Sequence, residues 1–202
     1  MGMVSAVRGS TLSFTAVKHT SAAAAGGGTV SYTHLDVYKR QELERVNAIC
    51  RHPLWRDSVR QIAHLERDRQ FCRHDLVHFL DVARLAYIEN LERGLGVDKE
   101  LIYAAALLHD IGRHLQYTRN IPHDQASAQL AEVILTDCGF SQAERTEVED
   151  AILQHRGQQD RQREGLAGLL YGADKASRAC LFCPAEPECN WSPEKKNMRI
   201  KA

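Results

Sequence analysis

The chain has 202 residues, of which 44% are hydrophobic and 26% charged, and its 26 basic residues balance 26 acidic ones. This composition indicates one globular domain, and the lack of a basic excess argues against a nucleic-acid partner or an anionic membrane surface. No apolar run reaches the roughly 18 residues of a membrane span, and residues 1–17 lack the apolar core of a signal peptide. Six cysteines without an export signal favour a reducing cytoplasm.

The first 41 residues differ from the rest of the chain. The stretch SAAAAGGGTVS is low-complexity and linker-like. Residues 30–41, VSYTHLDVYKRQ, resemble a string that recurs at the ends of unrelated open reading frames from metagenome assemblies. We therefore expect residues 1–41 to be a disordered or artefactual segment and the folded part to begin near Glu42. Subtracting the four basic residues and one acidic residue of this segment leaves 22 basic and 25 acidic residues, a net charge of −3.

From Glu42 onward the pattern is helical with polar breaks, and no segment alternates in the way that is typical of strands. Gly94, Gly96 and Gly139 mark helix ends, and Ser141 to Glu144 form a capping-box sequence. The prediction is an all-α fold, a single helical bundle of about six helices. The predicted helices cover residues 55–69, 74–94, 98–110, 123–139, 143–156 and 163–180.

Polar residues recur on the apolar faces of these helices. His78 shares a face with Val82 and Leu85, and Asp174 follows Leu166 and Leu170 at successive i+4 steps. A single inward histidine is more often a satisfied core residue, but a buried polar group without a partner costs several kcal/mol. Imidazole and carboxylate together suit a divalent transition metal, which would explain why such groups recur. The five inward candidates are His78, His109, His123, His155 and Asp174.

The ordered set His78, His109-Asp110 and Asp174 resembles the H…HD…D motif of the HD superfamily of metal-dependent phosphohydrolases. HFLDVARLA, LLHDIGR and GADKASR carry the resemblance, and NIPHDQAS and AILQHR resemble the segments with two extra histidines in the binuclear branch. The resemblance covers roughly residues 70–178, and we assign residues 42–178 to an HD domain. It implies that His78, His109, Asp110 and Asp174 hold one metal, and that Asp110 bridges to a second metal held by His123 and His155.

The resemblance also implies an activity. We expect a cytoplasmic enzyme that cleaves a phosphate ester or anhydride, of a nucleotide in our interpretation, with a metal-activated hydroxide as the nucleophile. The ligand set fits one or two ions of Fe, Mn, Zn, Co or Ni equally. We predict catalytic roles for Asp110, Lys175 and Arg113, although a solvated surface charge is as good an interpretation of the two cations. Substrate-binding roles are predicted for Arg178, His74 and His114, and His74 with His78 also has the spacing of a zinc pair.

The C-terminal tail, residues 179–202, contains Cys180, Cys183 and Cys189. C-x2-C is a zinc or iron–sulfur spacing, and a third cysteine nearby strengthens it. Cys72 is the best candidate for a fourth ligand of a structural zinc or Fe–S site, and Cys50 is the next. The alternative is a set of reduced thiols in an extended segment that covers the core. The tail lies outside the general HD pattern and looks like a feature of a subfamily of uncharacterised bacterial HD proteins.

Three other functions compete with the hydrolase. The first is a non-catalytic HD module that binds a nucleotide or a metal as a sensor, which a test of phosphoester hydrolysis would separate from the enzyme. The second is a structural helical protein whose tail binds zinc and a partner, and it predicts metal bound by cysteines alone. The third is a di-iron oxygenase, as in HD-fold enzymes related to inositol oxygenase, and it would need oxygen and a reducible iron pair.

Overall fold

In a computed structural model of the chain, the structure describes residues 42–156 and 164–200. The segment 1–41 and the predicted start of the last helix at residue 163 lie outside these ranges. The all-α fold is confirmed, because the described residues contain eight α-helices and no strand. The helices are α1 (Glu44–Arg51), α2 (Pro53–Leu65), α3 (Leu76–Arg93), α4 (Lys99–Leu108), α5 (Arg113–Arg119), α6 (His123–Asp137), α7 (Gln142–Gln154) and α8 (Gly165–Ala176).

The number of helices is larger than the six predicted, because α1 and α5 were not anticipated. Each has only seven or eight residues, which is too few for the periodicity of apolar positions to show in the sequence. The tail adds two short 3-10 turns, Cys180–Phe182 and Glu186–Glu188.

The predicted helix ends are largely confirmed. Gly94 and Gly139 adopt positive φ angles of 61° and 79° beyond α3 and α6, and Ser141 and Glu144 form both hydrogen bonds of the capping box. The predicted start of α3 at His74 is wrong. Asp75 is the N-cap, and its side chain accepts a hydrogen bond from the His78 amide at 3.0 Å. His74 therefore precedes the helix.

Helix α4 is the centre of the bundle. Seven of its ten residues are buried, from Leu101 and Ile102 to the run 104–108, and it packs against α1, α3, α6, α7 and α8. A helix that is apolar on nearly all sides is stable only when other helices cover it. The Trp55 indole also donates a hydrogen bond to the Leu107 carbonyl at 2.9 Å, which satisfies a backbone acceptor in the last turn of α4.

None of the described helices combines the length and the apolar character that crossing a membrane requires.

Candidate metal centre

The predicted metal ligands all come from helix ends that converge beside the C-terminus of α4. His109 is the C-cap of α4, and Asp110 lies in the turn that leads into α5. His78 and His123 lie in the first turns of α3 and α6, whereas His155 is the C-cap of α7. Asp174 lies in the last turn of α8 and is buried. Five helices thus each contribute a polar side chain to one point in the fold.

Gly112 lets the turn after Asp110 approach α6 closely. A Cβ atom on Gly112 would lie 2.4 Å from the Ser127 amide nitrogen and 2.6 Å from the His123 carbonyl oxygen. The Gly112 amide donates to Ser127 Oγ at 2.8 Å. Its φ of −76° is open to any residue, so glycine is needed here for space and not for backbone conformation. The turn and the N-terminus of α6 are thereby fixed against each other.

The Asp110 carboxylate lies between two groups of donor atoms. Its Oδ2 is 3.3 Å from His109 Nε2 and 3.8 Å from His78 Nε2. Its Oδ1 is 3.3 Å from His123 Nε2 and 3.7 Å from His155 Nε2. Within each group the donor atoms lie within 4.8 Å of one another, which is close enough to hold a metal ion. The groups are His78, His109, Asp110 and Asp174, and Asp110, His123 and His155.

Hydrogen bonds at Nδ1 orient the four histidine rings. His109 Nδ1 donates to the Ala106 carbonyl at 2.7 Å, and His155 Nδ1 donates to the Ile152 carbonyl. His123 Nδ1 donates to Gln116 Oε1 at 2.6 Å. His78 Nδ1 is 3.1 Å from the hydroxyl of Ser177, which itself donates to the Asp174 carbonyl. Since these partners accept, each Nδ1 carries a proton, and in the neutral form of each ring Nε2 presents a lone pair to the centre.

Several acceptor atoms at the centre lack a hydrogen-bond donor. His123 Nε2 and His155 Nε2 are 3.2 Å apart, and in the neutral rings, whose protons are on Nδ1, neither has a proton to share. His109 Nε2 and both carboxylate oxygens of Asp110 are buried and form no hydrogen bond. Buried acceptors of this kind are costly unless a cation binds them. The donor set of imidazole and carboxylate therefore fits divalent transition metals.

Positive charges around Asp110 keep its carboxylate ionised. Burial opposes its ionisation, but the charges of His109 and Arg113 outweigh that effect and hold the pKa of the Asp110 carboxyl well below its usual range. Burial lowers the pKa of His78 to about 4 and that of His123 to about 3, so both rings are neutral at pH 7. Burial opposes the protonation of His109, but the charges of Asp110 and Asp174 raise the pKa of its imidazole, so a metal bound by His109 would displace a proton.

A cavity of about 910 Å³ opens onto the centre. The predicted cations Arg113, Lys175 and Arg178 all line it. Lys175 Nζ is 2.5 Å from Asp174 Oδ2. Arg178 donates to His78 Nε2 at 3.1 Å, and Arg113 Nε is 2.9 Å from Asp110 Oδ1. The side chains of Arg113 and Arg178 are largely buried at the centre, whereas that of Lys175 is 41% exposed.

The other predicted substrate residues are placed differently. His74 lines the cavity with its Nε2 3.7 Å from Asp110 Oδ2. His114 is buried and donates from Nδ1 to the Ile111 carbonyl at 2.8 Å, and the structure does not place it in the cavity wall.

Glu66 is a residue of this region that the sequence analysis missed. It is buried and accepts hydrogen bonds from His74 Nδ1 at 2.6 Å and from the Tyr117 hydroxyl at 2.5 Å. Burial alone would raise the pKa of the Glu66 carboxyl, but these hydrogen bonds lower it to about 2. The sequence HLERDR around it reads as a charged, exposed helix end, so no signal distinguished Glu66 from its neighbours.

The cysteines predicted as structural metal ligands also line the cavity. Its wall contains, as free thiols, Cys72 and the tail residues Cys180, Cys183 and Cys189. Cys50 does not line it.

Comparison with known proteins identifies the family. The model of the HD domain family matches residues 76–185, more than half of the chain. The chain belongs to the HD domain family. The match includes both groups of candidate ligands and continues into the tail as far as residue 185, which includes Cys180 and Cys183. Membership implies a metal-dependent module of the hydrolase type.

Two relatives of this HD domain protein are informative. It is 42% identical over 158 residues to an uncharacterized protein of Clostridium beijerinckii, and the aligned region covers 78% of the chain and 99% of that relative. It is 32% identical over 128 residues to Ribonuclease Y of Acetivibrio thermocellus, and this aligned region covers 63% of the chain but 22% of that enzyme. No solved structure matches the chain significantly.

Proposed function

We propose that this HD domain protein is a metal-dependent phosphohydrolase with a binuclear centre. The observation that carries the proposal is the buried Asp110 carboxylate, whose two oxygens face two separate groups of possible ligand atoms and form no hydrogen bond. The first metal would be held by His78, His109, Asp110 and Asp174. The second would be held by Asp110, His123 and His155.

Bound in this centre, divalent metal ions lower the pKa of a coordinated water and polarise the oxygens of a phosphoryl group. The residues around the centre supply the rest. Lys175 and Arg178 bind the negative oxygens of the substrate, since both line the cavity beside Asp174. Arg113 balances the charge of Asp110. His74, held by Glu66 through Nδ1, presents Nε2 to the cavity, where it accepts or returns a proton.

The cavity supports a nucleotide as the substrate. Its volume of about 910 Å³ is in the range of small-molecule sites, which is roughly 300–1,000 Å³. Tyr171 and Trp191 line it together with the cations, and aromatic rings beside basic groups suit a base and its phosphates. The similarity to Ribonuclease Y makes the phosphodiester of a short RNA the second candidate substrate.

Metal content and hydrolysis test the proposal together. Metals per chain are measured by elemental analysis on wild type, on His109→Ala and on a control, His64→Ala, whose side chain is exposed. We expect His109→Ala to contain about two equivalents less metal than wild type and the control. Wild type is then assayed for phosphate release with nucleoside mono-, di- and triphosphates and dinucleotides, and for cleavage of a short RNA.

The outcomes separate the competing functions. The hydrolase is supported if wild type releases phosphate from a nucleotide and if Lys175→Met slows this reaction, mainly through a higher KM. Cleavage of RNA alone favours the second candidate. Two bound metals without turnover of any substrate would contradict the enzyme and favour the sensor. Metal content that His109→Ala leaves unchanged would refute the centre itself.

A further inference from the structure

Four cysteines from distant parts of the sequence meet beside the cavity. Cys72 lies in the segment between α2 and α3, and Cys180, Cys183 and Cys189 lie in the tail. Burial is the main reason that the pKa of the Cys72 thiol is raised, and the charges of Cys180 and Cys183 raise it further. The Cys72 sulfur is therefore within electrostatic range of two of the tail thiols. The other two cysteines, Cys50 and Cys138, are not in this wall.

The tail has little apolar core to stabilise it. Between residues 179 and 200 the buried apolar residues are Cys180 and Ala185, while Phe182 is 85% exposed and Ile200 is 91% exposed. A short segment with little apolar core gains stability from a covalent or metal cross-link. The cysteines are free thiols, so no disulfide supplies that link.

Hydrogen bonds hold the tail cysteines in tight turns. The Cys183 amide donates to the Cys180 carbonyl at 3.1 Å, and the Cys189 amide donates to the Glu186 carbonyl at 3.2 Å. Lys196 Nζ donates to the Glu186 carbonyl and carboxylate at 2.9 and 2.7 Å. On the other side, Arg69 Nε donates to the Cys72 carbonyl at 2.8 Å. Both segments are thus fixed by hydrogen bonds where they line the same cavity.

The spacing of the sulfurs distinguishes between two kinds of metal centre. Sulfurs around one zinc ion bound at roughly 2.3 Å lie about 3.8 Å apart. The structure describes all four cysteines, and no three of their sulfurs lie within 4.8 Å of one another. In a 4Fe–4S cluster each of the four thiolates binds a different iron atom, so the cysteine sulfurs are farther apart than around one zinc ion. The arrangement is therefore wider than a tetrahedral zinc site.

We propose that Cys72, Cys180, Cys183 and Cys189 hold an iron–sulfur cluster next to the His/Asp centre. The cluster anchors the tail to the segment before α3 and so fixes the outer wall of the cavity. Arg178 and Lys196 lie near these thiols and offset the negative charge of four thiolates. This second centre uses no ligand of the first, so it stands independently of the proposed hydrolase.

The test uses the full chain, purified without oxygen from cells supplied with iron. Iron, acid-labile sulfide and zinc per chain are measured together with visible absorption. The variants are Cys183→Ser and Cys189→Ser, with Cys138→Ser as the matched control and His109→Ala to remove iron bound at the His/Asp centre. Circular dichroism checks that the helices, none of which contains Cys183 or Cys189, remain folded.

We expect sulfide and the visible absorption of thiolate-bound iron in wild type, in Cys138→Ser and in His109→Ala. We expect both signals to be lost in Cys183→Ser and Cys189→Ser while helix content is retained. Zinc without sulfide, or sulfide that persists in both tail variants, would overturn the cluster. Failure of the hydrolase proposal alone would give another result: His109→Ala would leave the amount of metal not accompanied by sulfide unchanged.

Discussion

Replacing Gly112 by alanine tests whether the turn after Asp110 is fixed against α6 by close packing. The new Cβ would lie 2.4 Å from the Ser127 amide nitrogen and 2.7 Å from the Ala126 Cβ. One of these contacts is with backbone, so α6 or the turn must move. Overpacking of this kind costs about 1–3 kcal/mol. Loss of the Gly112–Ser127 hydrogen bond adds about 1 kcal/mol. We expect the free energy of unfolding to fall by about 2–4 kcal/mol.

The effect is measured by thermal and urea denaturation of the metal-free protein. The expected loss corresponds to a decrease in Tm of roughly 5–15 °C for a chain of this size. Gly172→Ala is the matched control, because its Cβ would meet only the end of the flexible Glu89 side chain at 3.4 Å. Within α8 this alanine is expected to raise stability by up to about 1 kcal/mol through helix propensity.

Metal content gives a second measurement on Gly112→Ala. Because the displaced backbone includes the His123 carbonyl, the group of Asp110, His123 and His155 should lose affinity more than the other group does. We expect about one of two metals to be lost on mild dialysis. Unchanged Tm and unchanged metal content would refute the argument that close approach to α6 positions the centre.

Three further predictions concern stability. Glu66→Gln is expected to lower the free energy of unfolding at pH 7 by about 1–3 kcal/mol. Hydrogen bonds lower the pKa of Glu66 to about 2 from 4.5, so this contribution is present above pH 4.5 and is lost toward pH 2. The urea denaturation curves of variant and wild type should therefore converge near pH 2. Burial and a hydrogen bond with Glu132 raise the pKa of Glu149 to about 7, so ionisation destabilises the fold as the pH rises from 4.5 to 7. Glu149→Gln should therefore raise the free energy of unfolding at pH 8 by about 1 kcal/mol, a value reduced for solvent screening, and leave it unchanged at pH 4. An equal effect at the two pH values would contradict the raised pKa of Glu149. Ser141→Ala removes the capping box and should cost about 1 kcal/mol in urea denaturation.

The parts of the fold that the sequence predicted correctly are those with strong local signals. The apolar stripes identified the long helices, and Gly94, Gly139 and the Ser141 capping box identified helix ends. The same stripes showed which polar residues face inward. Local sequence did not predict α5, because its seven residues fold against α2 and α6 and depend on those contacts. Short elements of this kind are determined by tertiary packing more than by propensity.

The candidate site likewise contains residues that local sequence predicted and one that it did not. His78, His109, Asp174 and the other inward residues could be found because each lies on an apolar face of its own helix. Glu66 could not be found, because its partners come from two other parts of the chain, His74 before α3 and Tyr117 in α5. A residue buried by distant parts of the chain leaves no periodic signal in its own segment. The metal ligation and the substrate stay predictions.

The hydrogen bonds at Nδ1 have a consequence for how the centre acquires its metal. His109 and His155 are each tied to a carbonyl three residues earlier in their own helix, so ring orientation is set by secondary structure and not by the ion. Binding of a metal would then need little rearrangement of these two rings. A centre of this kind would select among first-row metals through its fixed geometry, their general affinity order and their supply in the cell.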